Sequence, residues 1–216
     1  VSQSNAQNPL ADINNMVLLP TAHSILAVGT DASFGDASCA LYSLATSSWA
    51  LTGRLGVNRT NFDLTALPDG TALVAGGIAP SSQAALTSSE LYSPASGKWS
   101  AAGNLTTGRA NAVATLLLGG QVLVAGGQDS GGNSLASAEL YSAMTKTWGT
   151  ANSMATARVY HQLLTLPGGS ALVIGGDDPV TVRACLFWLR MLCEPLPEHA
   201  AVSLTAPMHP TRCLPQ

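Results

Sequence analysis

Lysine is nearly missing: Lys98 and Lys146 are the only two, and charged residues of all kinds make up 10% of the 216-residue chain. So small a charged fraction excludes a disordered chain, which needs charge to stay solvated. It also excludes a bundle of helices, whose outer faces carry Lys and Glu. The 9 basic and 12 acidic residues leave a net charge of −3 and form no basic stripe, so nucleic acid is excluded as a partner. Long hydrophobic runs are lacking too. The best candidate, residues 182–193, contains Arg183 and Arg190 and is too short to span a bilayer. No secretory leader is visible, and the chain opens on Val1 rather than Met, so a processed or truncated start is expected. Cysteine is sparse. Cys39 stands alone, and Cys185, Cys193 and Cys213 follow far downstream, which matches neither a disulfide framework nor a zinc spacing.

Glycine, by contrast, is abundant at 21 residues, and with Ser, Thr and Val it suits short strands joined by tight turns. The chain also repeats itself. Tyr42, Tyr92 and Tyr141 lie 50 and then 49 residues apart, and Trp49, Trp99 and Trp148 follow with the same spacings. Arg59, Arg109 and Arg158 each come ten residues after their Trp. The doublets Gly76-Gly77, Gly126-Gly127 and Gly175-Gly176 keep the same step. Four markers in one register define a unit of about 50 residues.

The second unit shows the logic. Residues 60–67 are β-rich, Pro68-Asp69-Gly70 is a hairpin turn, and residues 71–75 form a short apolar strand ended by the glycine doublet. A polar loop leads to Ser89-Glu90-Leu91-Tyr92, and Pro94-Ala95-Ser96-Gly97 turns the chain into Lys98-Trp99-Ser100. Such a four-stranded unit cannot bury both faces alone, so neighbours must stack on it, and radial stacking of four-stranded sheets makes a propeller. The glycine doublet permits sharp backbone turns, while Tyr and Trp supply packing area between neighbouring units. The recurring Arg can reach backbone carbonyls or a carboxylate, with Glu90 and Glu139 as candidate partners. The first unit has Ala40 in place of the Glu and no Arg of its own, as suits a less regular terminal blade.

The glycine doublet, the Tyr-to-Trp spacing and the Arg opening the next unit resemble the kelch repeat over residues 18–176. The Leu-Pro-Asp-Gly turn and the Leu-Val-Ala-Gly-Gly strand are similar to the secreted bacterial branch, akin to the central domain of galactose oxidase. The resemblance implies an all-β fold of kelch-type β-propeller blades, each of four antiparallel strands, forming an incomplete open arc of about three and a half blades. The blades fall at about 11–53, 59–103 and 109–151, with a half blade at 158–176. Beyond Gly176 there is no glycine, and six of the twelve prolines lie there. Residues 177–216 therefore read as an irregular or frame-shifted tail, with a short capping helix at 182–193 as the alternative.

A residue present in every repeat serves the repeat before it serves a ligand. Gly76, Gly77, Tyr92, Trp99, Arg109, Gly126, Gly127, Tyr141, Trp148 and Arg158 are accordingly assigned to structure, against readings as a basic ring or a sugar-stacking series. Loops that differ between repeats are the better binding candidates: Ser81, Ser82 and Gln83 after one doublet, Gln128, Asp129 and Asn133 after the next. Asp129 is the only carboxylate in its loop, which is too few for a calcium site.

The Arg158-Val159-Tyr160-His161 stretch is similar to the copper-ligating Tyr-His of galactose and glyoxal oxidases, and phenolate and imidazole suit Cu(II). Those enzymes also need a second His, a second Tyr and a Tyr-Cys crosslink, which have no aligned counterparts here. The leading reading is a non-catalytic module that needs no cofactor and binds protein or carbohydrate, in an extracellular or periplasmic setting. The alternative is a fragment of a copper radical oxidase with Tyr160 and His161 as ligands, and a hydrolase ranks third. Asn58-Arg59-Thr60 and Asn104-Leu105-Thr106 are formal glycosylation sequons. Open blade edges predict self-association.

Overall fold

The computed structural model describes residues 8–30 and 38–176, together with the backbone of 31, 37 and 187–189. Every regular element among the described residues is a strand, in four separate antiparallel sheets. The first blade comprises β1 (Leu10–Leu19), β2 (Ser24–Asp31), β3 (Ala37–Ser43) and β4 (Ser48–Thr52). The second comprises β5 (Asp63–Ala66), β6 (Ala72–Ala75), β7 (Ser88–Ser93) and β8 (Lys98–Asn104). The third comprises β9 (Val113–Leu116), β10 (Gln121–Ala125), β11 (Ala138–Ser142) and β12 (Thr147–Ala151). Each is a simple up-and-down meander in chain order. The fourth sheet pairs β13 (Gln162–Thr165) with β14 (Ala171–Ile174), and β14 in turn pairs with β15 (Phe187–Leu189).

The first strands of successive blades, β1, β5, β9 and β13, pack on one another in order and form the inner edge of an arc, while β8 packs on β12 farther out. Among the described residues none of the sheets closes on itself, consistent with the expected incomplete propeller arc.

Short apolar strands sit at the centre of each blade because both of their faces are covered. All four residues of β6 are buried, as are Val122, Leu123, Val124 and Ala125 of β10. Alternate residues serve opposite neighbours. Val74 and Ala72 join Leu26, Val28 and Cys39 in the core between the first two blades. Leu73 joins Val122 and Tyr141 in the core between the second and third. The period of two along a strand thus sends one set of side chains back toward the preceding blade and the other on to the next.

The first strand of the second blade is shorter than the sequence predicts. Asn61 turns at φ 54° and Thr60 bridges to Ile78 instead of extending β5. The fourth sheet also continues past Gly176. Within residues 182–193, the alternative site of a capping helix, Phe187–Leu189 is a strand. The rest of the expected tail lies outside the described residues.

Candidate functional site

The meander puts two kinds of connection at opposite ends of the blades. At one end lie the hairpin turns at residues 68–70, 118–120 and 167–169. At the other lie the loops after the glycine doublets and the crossovers between blades. Bridges Thr60–Ile78 and Ala110–Gln128 join each crossover to the loop of its own blade, and Leu135–Arg158 joins the third blade's loop to the next crossover.

Buried arginines hold this end together. Arg59 and Arg109 are fully buried, and Arg158 nearly so. Arg109 donates from Nη1 to the carbonyls of Gly126 (2.9 Å) and Ser137 (3.0 Å), and from Nη2 to Glu139 Oε1 (2.8 Å). Glu139 then accepts from the backbone N–H groups of Thr106 (2.7 Å) and Thr107 (3.1 Å). Arg59 makes the equivalent bonds to Gly76, Ser88 and Glu90, and Glu90 accepts from Gly56 and Val57. Burial lowers the Arg59 pKa from its ordinary value, and Glu90 opposes that shift. Each latch ties a crossover to the two strands flanking the loop. In the first blade Ala40 occupies the Glu position, so no such latch forms there.

The glycine doublet is needed because backbone passes directly over it. A Cβ on Gly76 (φ 65°) would lie 2.4 Å from the Arg109 carbonyl, and one on Gly126 (φ 63°) would lie 2.6 Å from that of Arg158. Side chains are excluded there by both conformation and space.

Tyr and Trp pair across strands within each blade, with centroids 5.2 Å apart for Tyr92–Trp99 and Tyr141–Trp148. They face the preceding blade. Trp99 Nε1 donates to the Gly53 carbonyl (3.0 Å), Tyr92 Oη bonds Thr52 Oγ1 (2.6 Å), and Trp148 Nε1 donates to Ser89 Oγ (3.0 Å). Tyr92 and Tyr141 are both fully buried, which leaves no ring face for a sugar.

The variable loops are exposed, and they touch. Ser81, Ser82 and Gln83 stand in solvent at the tip of the second blade's loop. Ala85 N–H donates to Ser130 Oγ (2.9 Å) in the third blade's loop, making the two loops one continuous surface. Gln128 and Asp129 are half-buried and Asn133 is exposed. Both Asp129 carboxylate oxygens accept N–H groups, from Gly131 (2.8 Å) and from the Asn133 backbone (2.9 Å) and side chain (3.0 Å). These bonds, the side-chain bond from Asn133 foremost, lower the Asp129 pKa, and they turn its oxygens inward to close the loop. No group of three His, Cys, Asp or Glu residues suited to a metal ion occurs among the described residues.

Tyr160 and His161 diverge. Tyr160 is 63% exposed and adopts φ 58°, whereas His161 is 1% exposed. Tyr160 occupies the position that Asn61 and Asn111 hold in the earlier repeats, both also at positive φ. His161 occupies the slot of the buried Phe62. Neither imidazole nitrogen has a well-directed hydrogen-bond partner, and burial, reinforced by the Arg158 charge, pushes its pKa down to about 4. Cys39 is equally withdrawn, its thiol pushed up to about 12 by burial. The repeat-by-repeat comparison missed the exposed Tyr160 ring as a surface feature of the loop end. Its alignment with two asparagines in left-handed turns was the available signal.

The kelch motif model matches residues 109–155, which span Arg109, the third blade and the first residues of the crossover that follows it. No curated protein matches the chain. With the latch, the glycine doublet and the Tyr–Trp pair all recurring in antiparallel four-stranded sheets, the described residues are consistent with an incomplete kelch-type propeller, one blade of which carries the motif match.

Proposed function

We propose that this kelch-repeat module is a non-catalytic binding scaffold, secreted or displayed at a cell surface, that takes a protein or carbohydrate ligand on the loops at residues 78–87 and 128–135. The observation that carries the reading is the Ala85–Ser130 contact, which merges two exposed, sequence-variable loops into one surface. Rigid blades beneath that surface keep down the entropy cost of binding. The exposed Tyr160 ring lies at the same end and offers an amphipathic contact for either ligand class.

The test screens the protein against a displayed peptide library and an oligosaccharide array, then titrates each hit against variants. Gln83→Ala combined with Asn133→Ala should weaken binding at least about tenfold, the scale of one well-placed contact. Substitution of Asp69 or Leu118 at the opposite end should leave binding unchanged. Hits indifferent to the loop changes, or lost on the opposite-end changes, contradict the reading.

A further inference from the structure

Gln83, at the tip of the second blade's loop, holds a backbone conformation that the next repeat gives to glycine. The bridges Ile78–Ala85 and Gln128–Ser134 place the two loops in register. The Ala79 N–H donates to the Ala84 carbonyl as the Asp129 N–H donates to that of Asn133, which aligns Gln83 with Gly132. Gly132 adopts φ 78° and Gln83 φ 56°. A side chain is strained in that region, and such strain gathers where ligands are held.

The Gln83 amide is also fixed. Its Nε2 donates to the Pro80 carbonyl (2.9 Å), and among the described residues nothing donates to its Oε1. Across the seam, Asn133 Nδ2 donates to both Asp129 oxygens (3.2 and 3.0 Å), and its Oδ1 is likewise unpartnered among the described residues. Ser130 Oγ accepts from Ala85 (2.9 Å) and keeps its own O–H to donate. Ser81 adds an exposed hydroxyl.

Usable charge is missing from this seam. Residues 78–87 contain no ionisable side chain, and residues 128–135 contain only Asp129. An anionic ligand therefore meets a carboxylate and two amide oxygens, with no Lys or Arg in either loop. A cationic ligand meets a carboxylate already engaged by Gly131 and Asn133. Arg59 and Arg109, at the base of the loops, are fully buried and bonded to carbonyls and glutamates. The loops also lack aromatic residues, and Ile78, Leu86 and Leu135 are half-buried. The large anchors on which protein interfaces depend are thus absent from both loops. What remains is fixed acceptors and free hydroxyl donors. Ligand hydroxyls, each both donor and acceptor, satisfy both kinds.

We infer that the seam takes a neutral oligosaccharide and that Gln83 sets this specificity. The inference rests on the loop-binding reading and narrows its ligand class.

The probes are an array of neutral hexose oligosaccharides, matched uronate- and sulfate-bearing ones, and a displayed peptide library. Hits that weaken in Gln83→Ala combined with Asn133→Ala are the loop-dependent ones. If there are none, the loop reading falls and the inference with it. Loop-dependent hits should be neutral oligosaccharides whose Kd changes by less than about twofold when salt is raised to about 1 M, where exposed charges are screened. Gln83→Gly should keep or raise the urea midpoint yet weaken these hits about tenfold, and Gln83→Glu should weaken them as much. Loop-dependent hits confined to peptides or anionic oligosaccharides overturn the inference and leave the loop reading standing. Wild-type affinity for neutral oligosaccharides in Gln83→Gly overturns it as well.

Discussion

Arg109 and Glu139 form an ion pair 2.8 Å long with side chains 0% and 3% exposed, and the same pair recurs one repeat earlier as Arg59 and Glu90 at 2.9 Å. Both partners are held further by backbone groups, so the pair fastens a crossover rather than presenting charge to a ligand. Removing one partner of a buried pair leaves the other uncompensated, at about 3–5 kcal/mol. Arg109→Leu and Glu139→Leu should each lose stability on that scale in urea titrations. The double variant should lose clearly less than the sum. Additive losses would mean that the two residues act separately.

The two buried tyrosines differ in one bond. Tyr92 bonds the Thr52 hydroxyl in the preceding blade, while the Tyr141 hydroxyl is buried without a partner. One repeat on from Thr52 stands Ala102, which is buried and carries no hydroxyl. Tyr92→Phe should therefore cost about 1 kcal/mol, the net worth of a hydrogen bond, and Tyr141→Phe should be neutral or stabilising. Equal losses in thermal denaturation would contradict the assignment.

His161 makes stability depend on pH. Its folded pKa of about 4 lies below the ordinary 6.5, so between these values the unfolded chain binds a proton that the folded chain refuses. Stability should fall as pH drops from 6.5 and level off below 4, with a loss of about 3 kcal/mol from this group. Asp63 acts in the opposite sense, because burial raises its carboxyl pKa and protonation relieves that cost. The informative quantity is the difference between wild type and His161→Phe, which copies the Phe62 slot. A difference that does not change with pH would show that His161 is not held neutral.

Tyr160 sits at φ 58°, a region that asparagine tolerates and a bulky aromatic does not. Tyr160→Asn restores the residue type of Asn61 and Asn111 and should stabilise the fold by about 1 kcal/mol in chemical denaturation. A loss would indicate that the exposed ring makes a stabilising contact.

Much of the fold was legible because repetition amplifies weak signals. A single Gly-Gly or Tyr-to-Trp spacing means little, but three copies in one register placed the buried strand, the cross-strand pair and the latch. Glu90 and Glu139 were readable as partners of Arg59 and Arg109 for the same reason. What does not repeat was hidden. The contact between Ala85 and Ser130 depends on how two unlike loops fold. The unpartnered hydroxyl of Tyr141 follows from Ala102, which is not one of the repeat's markers. The third strand of the fourth sheet, Phe187–Leu189, lies where every repeat marker has ended.

The central claim is that this chain presents a binding surface and performs no redox chemistry at Tyr160 and His161. The most direct measurement loads the protein with Cu(II) and follows peroxide production from simple alcohols and aldehydes, for wild type and His161→Ala. With one side chain in solvent and the other in the core, the account predicts no turnover in either protein. Peroxide formed by the wild type and abolished by His161→Ala would contradict it.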